Sequence, residues 1–357
     1  MCLTGKIMQG KKTNRGRATL LPAILFTAAL TASPAVQAEN IMGQNPPEKA
    51  PIEYALPTKL ATQTLLLGVA KAGDRLVAVG NWGHIVLSDD KGLTWRQAQK
   101  VPTRTTLTSV YFTDDKHGWA VGHDTIILHT QDGGETWEMQ YSDPPAETPL
   151  LTVWFANSEH GIAAGSFSFM LETFDGGKTW ENRPVLEEEL EEFEEPHLNM
   201  IFWGPDRQTQ VLIASEAGNF FRSSDAGKTW EMLNLPYRGS FWSGMVTKTG
   251  RILALGMRGH IFRSDDFGNT WEQSATGADQ SYGGGVQLPD GVIVAVGLAG
   301  TVSYSSDNGE SFTTVIRPSR TGLTNVAEGA NDQVVLFGDQ GIALQPAHLP
   351  KEPPPGS

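Results

Sequence analysis

One eight-residue motif occurs six times along the chain, and this repeat limits the possible folds more than any other feature of the sequence. Its pattern is (Ser/Thr)-x-Asp-x-Gly-x-(Thr/Ser)-(Trp/Phe), and we call each copy a box. The box aspartates and the closing aromatic residues are Asp90, Asp132, Asp175, Asp225, Asp266 and Asp307, and Trp95, Trp137, Trp180, Trp230, Trp271 and Phe312. Successive aspartates lie 42, 43, 50, 41 and 41 residues apart. This period is typical of the four-stranded blades of a β-propeller.

The composition of the box indicates a structural turn. Its aspartate can accept hydrogen bonds from N–H groups within the turn, and its glycine can adopt a positive φ without steric cost. Its aromatic residue can bury a large surface between neighbouring blades. Six equivalent turns cannot all form an active site, so we interpret the box aspartates as structural, not as catalytic or calcium-binding residues.

The number of repeats predicts seven blades. Six units carry a box, over residues 65–99, 107–140, 150–183, 198–234, 241–274 and 282–315. A seventh stretch, residues 323–344, lacks the box and a fourth strand, and we expect residues 52–56 to supply that strand and close the ring. The predicted fold is therefore an all-β, seven-bladed β-propeller over residues 51–346. A linker at 39–50 precedes it, and a flexible Pro-rich tail at 347–357 follows it.

The first 38 residues have the features of a secretory signal peptide. A basic segment precedes an apolar stretch at residues 18–32, and the small residues at 36–38 form a cleavage site. Neither this stretch nor any later segment is long and apolar enough to predict a transmembrane helix in the mature chain. We therefore expect an exported protein, located in the periplasm if the source is a bacterium.

Charge and cysteine content exclude several classes of function. The chain has 27 Lys and Arg against 40 Asp and Glu, a net charge of −13, which argues against nucleic acid as a partner. Its one cysteine, Cys2, lies in the predicted signal peptide, so neither a disulfide framework nor a cysteine metal site can form. The sequence predicts no metal or cofactor, and we expect a monomer.

The repeat also resembles that of a known family. Residues 79–95 read Val-Gly-x-x-Gly-x-Ile-x-x-Ser-x-Asp-x-Gly-x-Thr-Trp, and residues 121–137 are similar. This sequence resembles the Asp-box (BNR) repeats of the photosystem II stability/assembly factor family, over nearly the whole mature chain. The resemblance implies a non-enzymatic, exported scaffold that holds membrane-protein subunits during assembly, in the thylakoid lumen if the source is photosynthetic. In a non-photosynthetic bacterium it implies a partner in an envelope complex, including an RND-type exporter.

A second class of function stays open, because sialidases share the box. A sialidase-like glycoside hydrolase would need a carboxylate pair, a tyrosine nucleophile and arginines that bind an acidic sugar. None of Tyr141, Tyr237 and Tyr282 lies beside a recognisable catalytic carboxylate in the sequence. The sequence therefore favours a protein without enzymatic activity over a hydrolase or a carbohydrate-binding propeller.

Blade geometry predicts where a partner would bind. All boxes lie on one face, whereas the loops between second and third strands share the opposite face with the blade-to-blade connections. We call the latter the loop face, and loops on a rigid scaffold commonly carry binding residues. Its candidate partner-binding residues are Trp82, Arg104, Phe167, Arg238, Met257 and Arg258. The alternative is that Trp82 covers the central channel and that the arginines form a solvated rim.

An acidic run accounts for the one long spacing between boxes. Residues 187–195 contain seven glutamates together with Leu190 and Phe193, and they fall between blades three and four. Such a run is usually a solvated loop. The alternative is an arm that docks on a basic partner surface, with Leu190 and Phe193 as its apolar contacts.

Overall fold

The computed structural model describes residues 51–186 and 195–349, and these residues form seven antiparallel sheets. Blade one contains β1 (Leu66–Ala72), β2 (Arg75–Gly80), β3 (Ile85–Ser88) and β4 (Arg96–Gln97). Blade two contains β5 (Leu107–Phe112), β6 (Gly118–Gly122), β7 (Ile127–Thr130) and β8 (Glu138–Tyr141). Blade three contains β9 (Leu150–Phe155), β10 (Gly161–Gly165), β11 (Met170–Thr173) and β12 (Glu181–Asn182).

The remaining blades repeat this order. Blade four contains β13 (Leu198–Trp203), β14 (Val211–Ser215), β15 (Asn219–Ser223) and β16 (Glu231–Asn234). Blade five contains β17 (Phe241–Val246), β18 (Ile252–Gly256), β19 (Ile261–Ser264) and β20 (Glu272–Gln273). Blade six contains β21 (Tyr282–Gln287), β22 (Ile293–Gly297), β23 (Thr301–Ser305) and β24 (Thr313–Ile316). Blade seven has three strands in the described chain, β25 (Leu323–Glu328), β26 (Gln333–Gly338) and β27 (Gly341–Pro346).

The seven sheets form a ring. The first strand of each blade contacts the first strand of the next, and β25 of blade seven contacts β1 of blade one. The second strands are buried apolar segments such as Ile252–Gly256, because each is covered by neighbouring blades on both faces. Gly80 ends β2 where a Cβ atom would lie 2.0 Å from the carbonyl oxygen of Leu65. The predicted seven-bladed propeller is therefore confirmed.

The hydrogen bonds within the first box show why the motif recurs. The side chain of Asp90 accepts from the Thr94 N–H (2.8 Å), the Thr94 hydroxyl (2.6 Å) and the Ser88 hydroxyl (2.8 Å). The N–H of Gly92, a residue with φ of 89°, donates to the Ser88 hydroxyl oxygen at 2.8 Å. The same bonds to the aspartate occur in the other five boxes. These contacts agree with a structural role.

Each box also packs on the preceding blade. A Cβ atom at Gly92 would lie 2.3 Å from Val335 of blade seven, so this turn can approach that blade only with glycine. The Trp95 ring meets Phe337 of blade seven edge to face, with centroids 5.8 Å apart. The sequence did not indicate a further set of blade-to-blade contacts. Three arginine guanidinium groups donate to backbone oxygens in the box of the next blade, from Arg75 to Gly133, from Arg222 to Phe267 and from Arg251 to Asn308.

The prediction that residues 52–56 complete blade seven is wrong. This segment is not a strand, and it lies beside blade one, where the Ala55 N–H donates to the Val101 carbonyl oxygen at 3.0 Å. The Gln97 amide donates to the Leu56 carbonyl oxygen at 3.0 Å. Blade seven instead meets blade one through side chains, including Phe337 and Leu66. The Thr324 hydroxyl also donates to the Leu66 carbonyl oxygen at 2.6 Å.

The chain directly after β27 is attached to the propeller. Ala347 is buried, and its N–H donates to the Asp332 carbonyl oxygen at 2.9 Å. The His348 ring bridges Asp290 of blade six, at 2.6 Å, and Asp332 of blade seven, at 2.9 Å. The sequence assigned these residues to the flexible tail, whereas here they join two blades. The rest of that tail, the predicted signal peptide and linker, and the acidic run from 187 to 194 lie outside the described residues.

The box aspartates predict how stability depends on pH. Hydrogen bonds from the Thr94 hydroxyl and N–H lower the pKa of Asp90 to about 2, and those from the Thr179 N–H and hydroxyl lower the pKa of Asp175 to about 2. The unfolded value is near 3.9. The stabilisation is therefore present above about pH 4 and is lost as the pH falls towards 2. In thermal unfolding between pH 6 and pH 2, Asp90→Asn should lower the Tm at pH 6 and flatten its decline with acid. The exposed Asp279→Asn is the control, and a wild-type slope in Asp90→Asn would contradict this account.

Candidate functional site

The structure places seven hairpin loops at the end of the blades opposite the boxes, as the antiparallel strand order requires. These loops join the second and third strands, at residues 81–84, 123–126, 166–169, 216–218, 257–260, 298–300 and 339–340. They lie over the middle of each blade, because the first strand is innermost and the fourth is outermost. Together with the blade-to-blade connections they form the loop face.

The tips of these loops have an unusual backbone conformation. In the six blades with a box, two successive residues have a positive φ, as in a type I′ turn, which normally carries Asn or Gly. The first of the two is Trp82 (62°) in blade one, Phe167 (55°) in blade three and Arg258 (54°) in blade five. A left-handed conformation costs such residues about 1–2 kcal/mol. Three predicted partner-binding residues therefore occupy strained positions, which are common at functional sites.

Trp82 and Arg104 lie together at the junction of blades one and two. They line an open cavity of about 250 Å³, which is also bordered by Asn81, Thr105, Thr106, His123 and Asp124. The Trp82 side chain is 63% exposed. Gly83 holds the turn against the connection between blades one and two, since a Cβ atom there would lie 2.2 Å from the Thr103 carbonyl oxygen. The indole is thus exposed on a closely packed turn.

Hydrogen bonds between loops fix the polar groups around this cavity. The Thr105 hydroxyl donates to the Asp124 carboxylate at 2.6 Å, and the Thr106 hydroxyl donates to the Asn81 amide oxygen at 3.1 Å. Arg104 Nε donates to the Tyr54 carbonyl oxygen at 3.0 Å. The N-terminal segment therefore holds the arginine in place. The sequence analysis did not select Asp124, although it occupies the same tip position in blade two as Trp82 does in blade one.

Phe167 forms a second exposed aromatic site, on blade three. Its side chain is 59% exposed and meets the His197 ring edge to face, with centroids 5.1 Å apart. His197 Nδ1 in turn lies 3.8 Å from the Glu216 carboxylate of blade four. Glu195, the last residue of the acidic run, precedes His197 by two positions, whereas Leu190 and Phe193 lie outside the described residues.

The other predicted residues lie around blades four and five. Arg258 is exposed at its loop tip, and Arg238 is exposed in the connection between β16 and β17. Met257 is half-buried at the first corner of the turn, and its carbonyl oxygen accepts hydrogen bonds from the Tyr237 hydroxyl (3.3 Å) and the His260 N–H (3.1 Å). The structure thus places Trp82 beside Arg104, whereas Phe167, Arg238, Met257 and Arg258 lie on other blades.

Two further features concern the described residues as a whole. Among residues 51–186 and 195–349, no group of three or more His, Cys, Asp or Glu side chains is placed to hold a metal ion. In the same part of the chain, no helix has the length and apolar character needed to cross a membrane.

The strain at the loop tips leads to a stability prediction. Trp82→Asn should raise the free energy of unfolding by about 1 kcal/mol, because Asn adopts a left-handed conformation readily and the lost side chain is mostly exposed. Urea denaturation at pH 7 measures the difference. Met139→Asn, which replaces an exposed apolar residue of β8, is the control and should not stabilise the protein. If Trp82→Asn destabilises the protein, packing of the indole outweighs the backbone strain.

Comparison with known proteins identifies relatives. A family model described as Photosynthesis system II assembly factor YCF48 matches residues 88–148 and 140–287. The chloroplastic photosystem II stability/assembly factor HCF136 of Cyanidioschyzon merolae is 44% identical over 50 residues, which cover 13% of this chain and 11% of that protein. The photosystem II assembly protein Ycf48 of Thermosynechococcus vestitus is 43% identical over 42 residues, which cover 12% of each. These matches span only about a tenth of the length of either relative.

Solved structures share the fold. A YCF48 bound to a D1 peptide has a TM-score of 0.63 at 21% identity, covering 83% of this chain and 97% of that one. YCF48 from Cyanidioschyzon merolae has a TM-score of 0.62 at 16% identity, with coverages of 82% and 97%. A streptogramin B lyase has a TM-score of 0.65 at 12% identity, also with coverages of 82% and 97%. Since the family model covers more than half of the sequence, the chain belongs to the photosystem II assembly factor YCF48 family of β-propellers.

Proposed function

We propose that this chain is a non-catalytic scaffold that holds a subunit of a membrane-protein complex on its loop face. The observation that carries the proposal is the set of exposed residues Trp82, Phe167 and Arg258 at strained loop tips. Membership of a family of assembly factors supports a binding role. A member of this family has been solved with a D1 peptide, so a segment of a membrane complex is the class of partner that we transfer to this chain.

The chemistry of the loop face fits a protein partner. Exposed Trp and Arg side chains are frequent anchors of protein interfaces, and a few such residues supply most of the binding energy. The two-residue turns hold these anchors before the partner arrives, which lowers the entropic cost of binding.

We place the mature protein on the exported side of the membrane, in the periplasm or the thylakoid lumen. The partner would then be a photosystem II subunit in a photosynthetic source, or an envelope complex such as an RND-type exporter in another bacterium. The acidic run at 187–195 would speed association with a basic partner surface, and its deletion should slow capture and weaken its dependence on salt.

The experiment is photo-crosslinking and capture from membranes of the source organism, with two aromatic residues of blade three as a matched pair. Phe167 lies on the loop face and is 59% exposed, whereas Phe174 belongs to a box on the opposite face and is 50% exposed. Phe167→Ala, Trp82→Ala and Arg258→Ala should each weaken capture about 30-fold, as expected for a loss of about 2 kcal/mol. Phe174→Ala should have no effect. The opposite result would place the partner on the box face.

A hydrolase is the second candidate, because the similar fold of a streptogramin B lyase shows that a propeller can also serve an enzyme. On the proposed function, neither sialosides nor aryl glycosides should be turned over. If turnover is found and Asp124→Asn abolishes it, the protein is an enzyme whose active site is the cavity beside Trp82, and the proposed scaffold function is wrong.

A further inference from the structure

We propose that the outer edge of β27 in blade seven accepts an extended strand of another polypeptide. This strand would complete the blade, as the fourth strand does in the other six. The site is a second binding surface, separate from the loop face and independent of the proposed function.

Burial of the third strands carries the inference. In blades one to six, a fourth strand covers the third one, which is almost entirely buried, as in β3, β11 and β23. In β27, only Gly341 is buried, and the other residues are half-buried or exposed. Leu344 in the middle of β27 is 39% exposed. Blade seven therefore has an uncovered position, within the described chain, where every other blade holds a strand.

The exposed edge is suited to pairing. Alternate residues of an antiparallel edge strand direct their N–H and C=O groups away from the sheet. Natural proteins protect such edges with charged residues, and five of the six fourth strands here begin with one, namely Arg96, Glu138, Glu181, Glu231 and Glu272. The sequence of β27 is Gly-Ile-Ala-Leu-Gln-Pro, without any charge and with proline only at its end. Nothing in β27 opposes the addition of a strand.

Other segments of this chain are poor candidates to fill the edge. Residues 52–56 are bound to blade one through Ala55 and Val101. Residues 350–357 contain four prolines, and residues 39–50 contain Pro46 and Pro47, which interrupt a β-ladder. A second copy is disfavoured because the net charge of −13 makes two copies repel each other. We therefore assign the edge to a strand from a different protein.

The two faces of β27 define the sequence of that strand. Ile342 packs in the cluster between blades seven and one, and Leu344 follows on the same face of the sheet. On the other face, the Gln345 amide donates to the Tyr304 hydroxyl of blade six at 3.2 Å. The added strand should thus carry apolar residues that can cover Ile342 and Leu344, and it should have no internal proline.

Blade six supplies a probe for the test. Its fourth strand β24 pairs with β23, from Thr301 opposite Ile316 to Tyr304 opposite Thr313. A labelled peptide with the sequence of residues 313–317, Thr-Thr-Val-Ile-Arg, is added to the full-length protein, and hydrogen exchange of the backbone is followed. We expect slower exchange at 341–346 and no change in the third strands of the other blades. The same peptide with proline in place of Val315 should not protect the edge.

A matched pair of variants tests the position. Leu344→Lys should weaken peptide binding about tenfold, because a charge on an edge strand opposes pairing. Ile316 is similarly exposed (42%) but lies in β24, away from this edge, so Ile316→Lys should not weaken binding. Protection at a site other than β27, or none, overturns the proposal without the use of any variant. Edge amides that are protected in the protein alone and become exposed after deletion of residues 39–50 would identify this chain as the occupant. A dimer that Leu344→Lys dissociates would identify a second copy, and both results refute a foreign strand.

Discussion

Trp137→Ala is expected to lower the free energy of unfolding by about 3–5 kcal/mol, the usual cost of truncating a buried aromatic residue. The Trp137 side chain is 1% exposed, in the cluster between blades one and two. Its indole N–H donates to the Gly134 carbonyl oxygen at 2.9 Å, and its ring meets Phe112 edge to face at 6.2 Å. Its backbone N–H donates to the carbonyl oxygen of Lys100, in the connection that follows blade one, at 2.9 Å, so the residue ties blade two to this connection. Urea denaturation at pH 7 measures the loss.

The control for this variant comes from another box. Leu93 occupies a box position in blade one and is half-exposed, so Leu93→Ala should change the free energy of unfolding by less than about 0.5 kcal/mol. A cost below about 1 kcal/mol for Trp137→Ala would show that the aromatic residue of the box does not hold the blades together.

Phe337→Ala should cost a similar amount, about 3–5 kcal/mol, because Phe337 is fully buried where blade seven meets blade one. It packs with Leu66 and with the Trp95 ring. Deletion of residues 39–56 should cost less, about 1–2 kcal/mol, since the described part of this segment contributes a few hydrogen bonds at the surface of blade one. Thermal and urea unfolding of both variants compare the two contributions directly.

The order of the two effects decides how the ring is closed. If the deletion destabilises the protein more than Phe337→Ala, the N-terminal segment completes the ring after all. Ile52→Ala is the control for loss of an apolar side chain from this segment, and it should be nearly neutral because Ile52 is mostly exposed.

The box and its role could be predicted from the sequence because both depend on residues close together in the chain. The bonds from Thr94 to Asp90 and from Gly92 to Ser88 each span four residues, so six copies of one short pattern are enough to define them. The period of the boxes then fixes the number of strands in each unit. The local sequence therefore predicts the structure of each turn, even when the arrangement of the blades in the ring is unknown.

Ring closure could not be predicted, because it depends on a choice between distant partners. The alternating residues 52–56 suit pairing with either blade seven or blade one, and the sequence does not show that Val101 and Arg104 lie beside them. At the candidate site, repeat alignment located the loops but not their exact tips. Met257 and Arg258 are neighbours in sequence, yet only Arg258 has the positive φ of the tip, whereas the Met257 carbonyl oxygen accepts a hydrogen bond from the Tyr237 hydroxyl.

The contact between blades seven and one has a mechanical consequence. Within the described chain, no strand is shared between blades seven and one. Side-chain packing and hydrogen bonds hold the two blades together, including the bond from the Ala330 N–H to the Lys91 carbonyl oxygen. Blades seven and one can therefore separate without removing a strand from any sheet, at a lower free energy than global unfolding. Under mechanical tension the ring should open first between blades seven and one. A circular permutant with its termini at another junction would need a covalent link between blades seven and one.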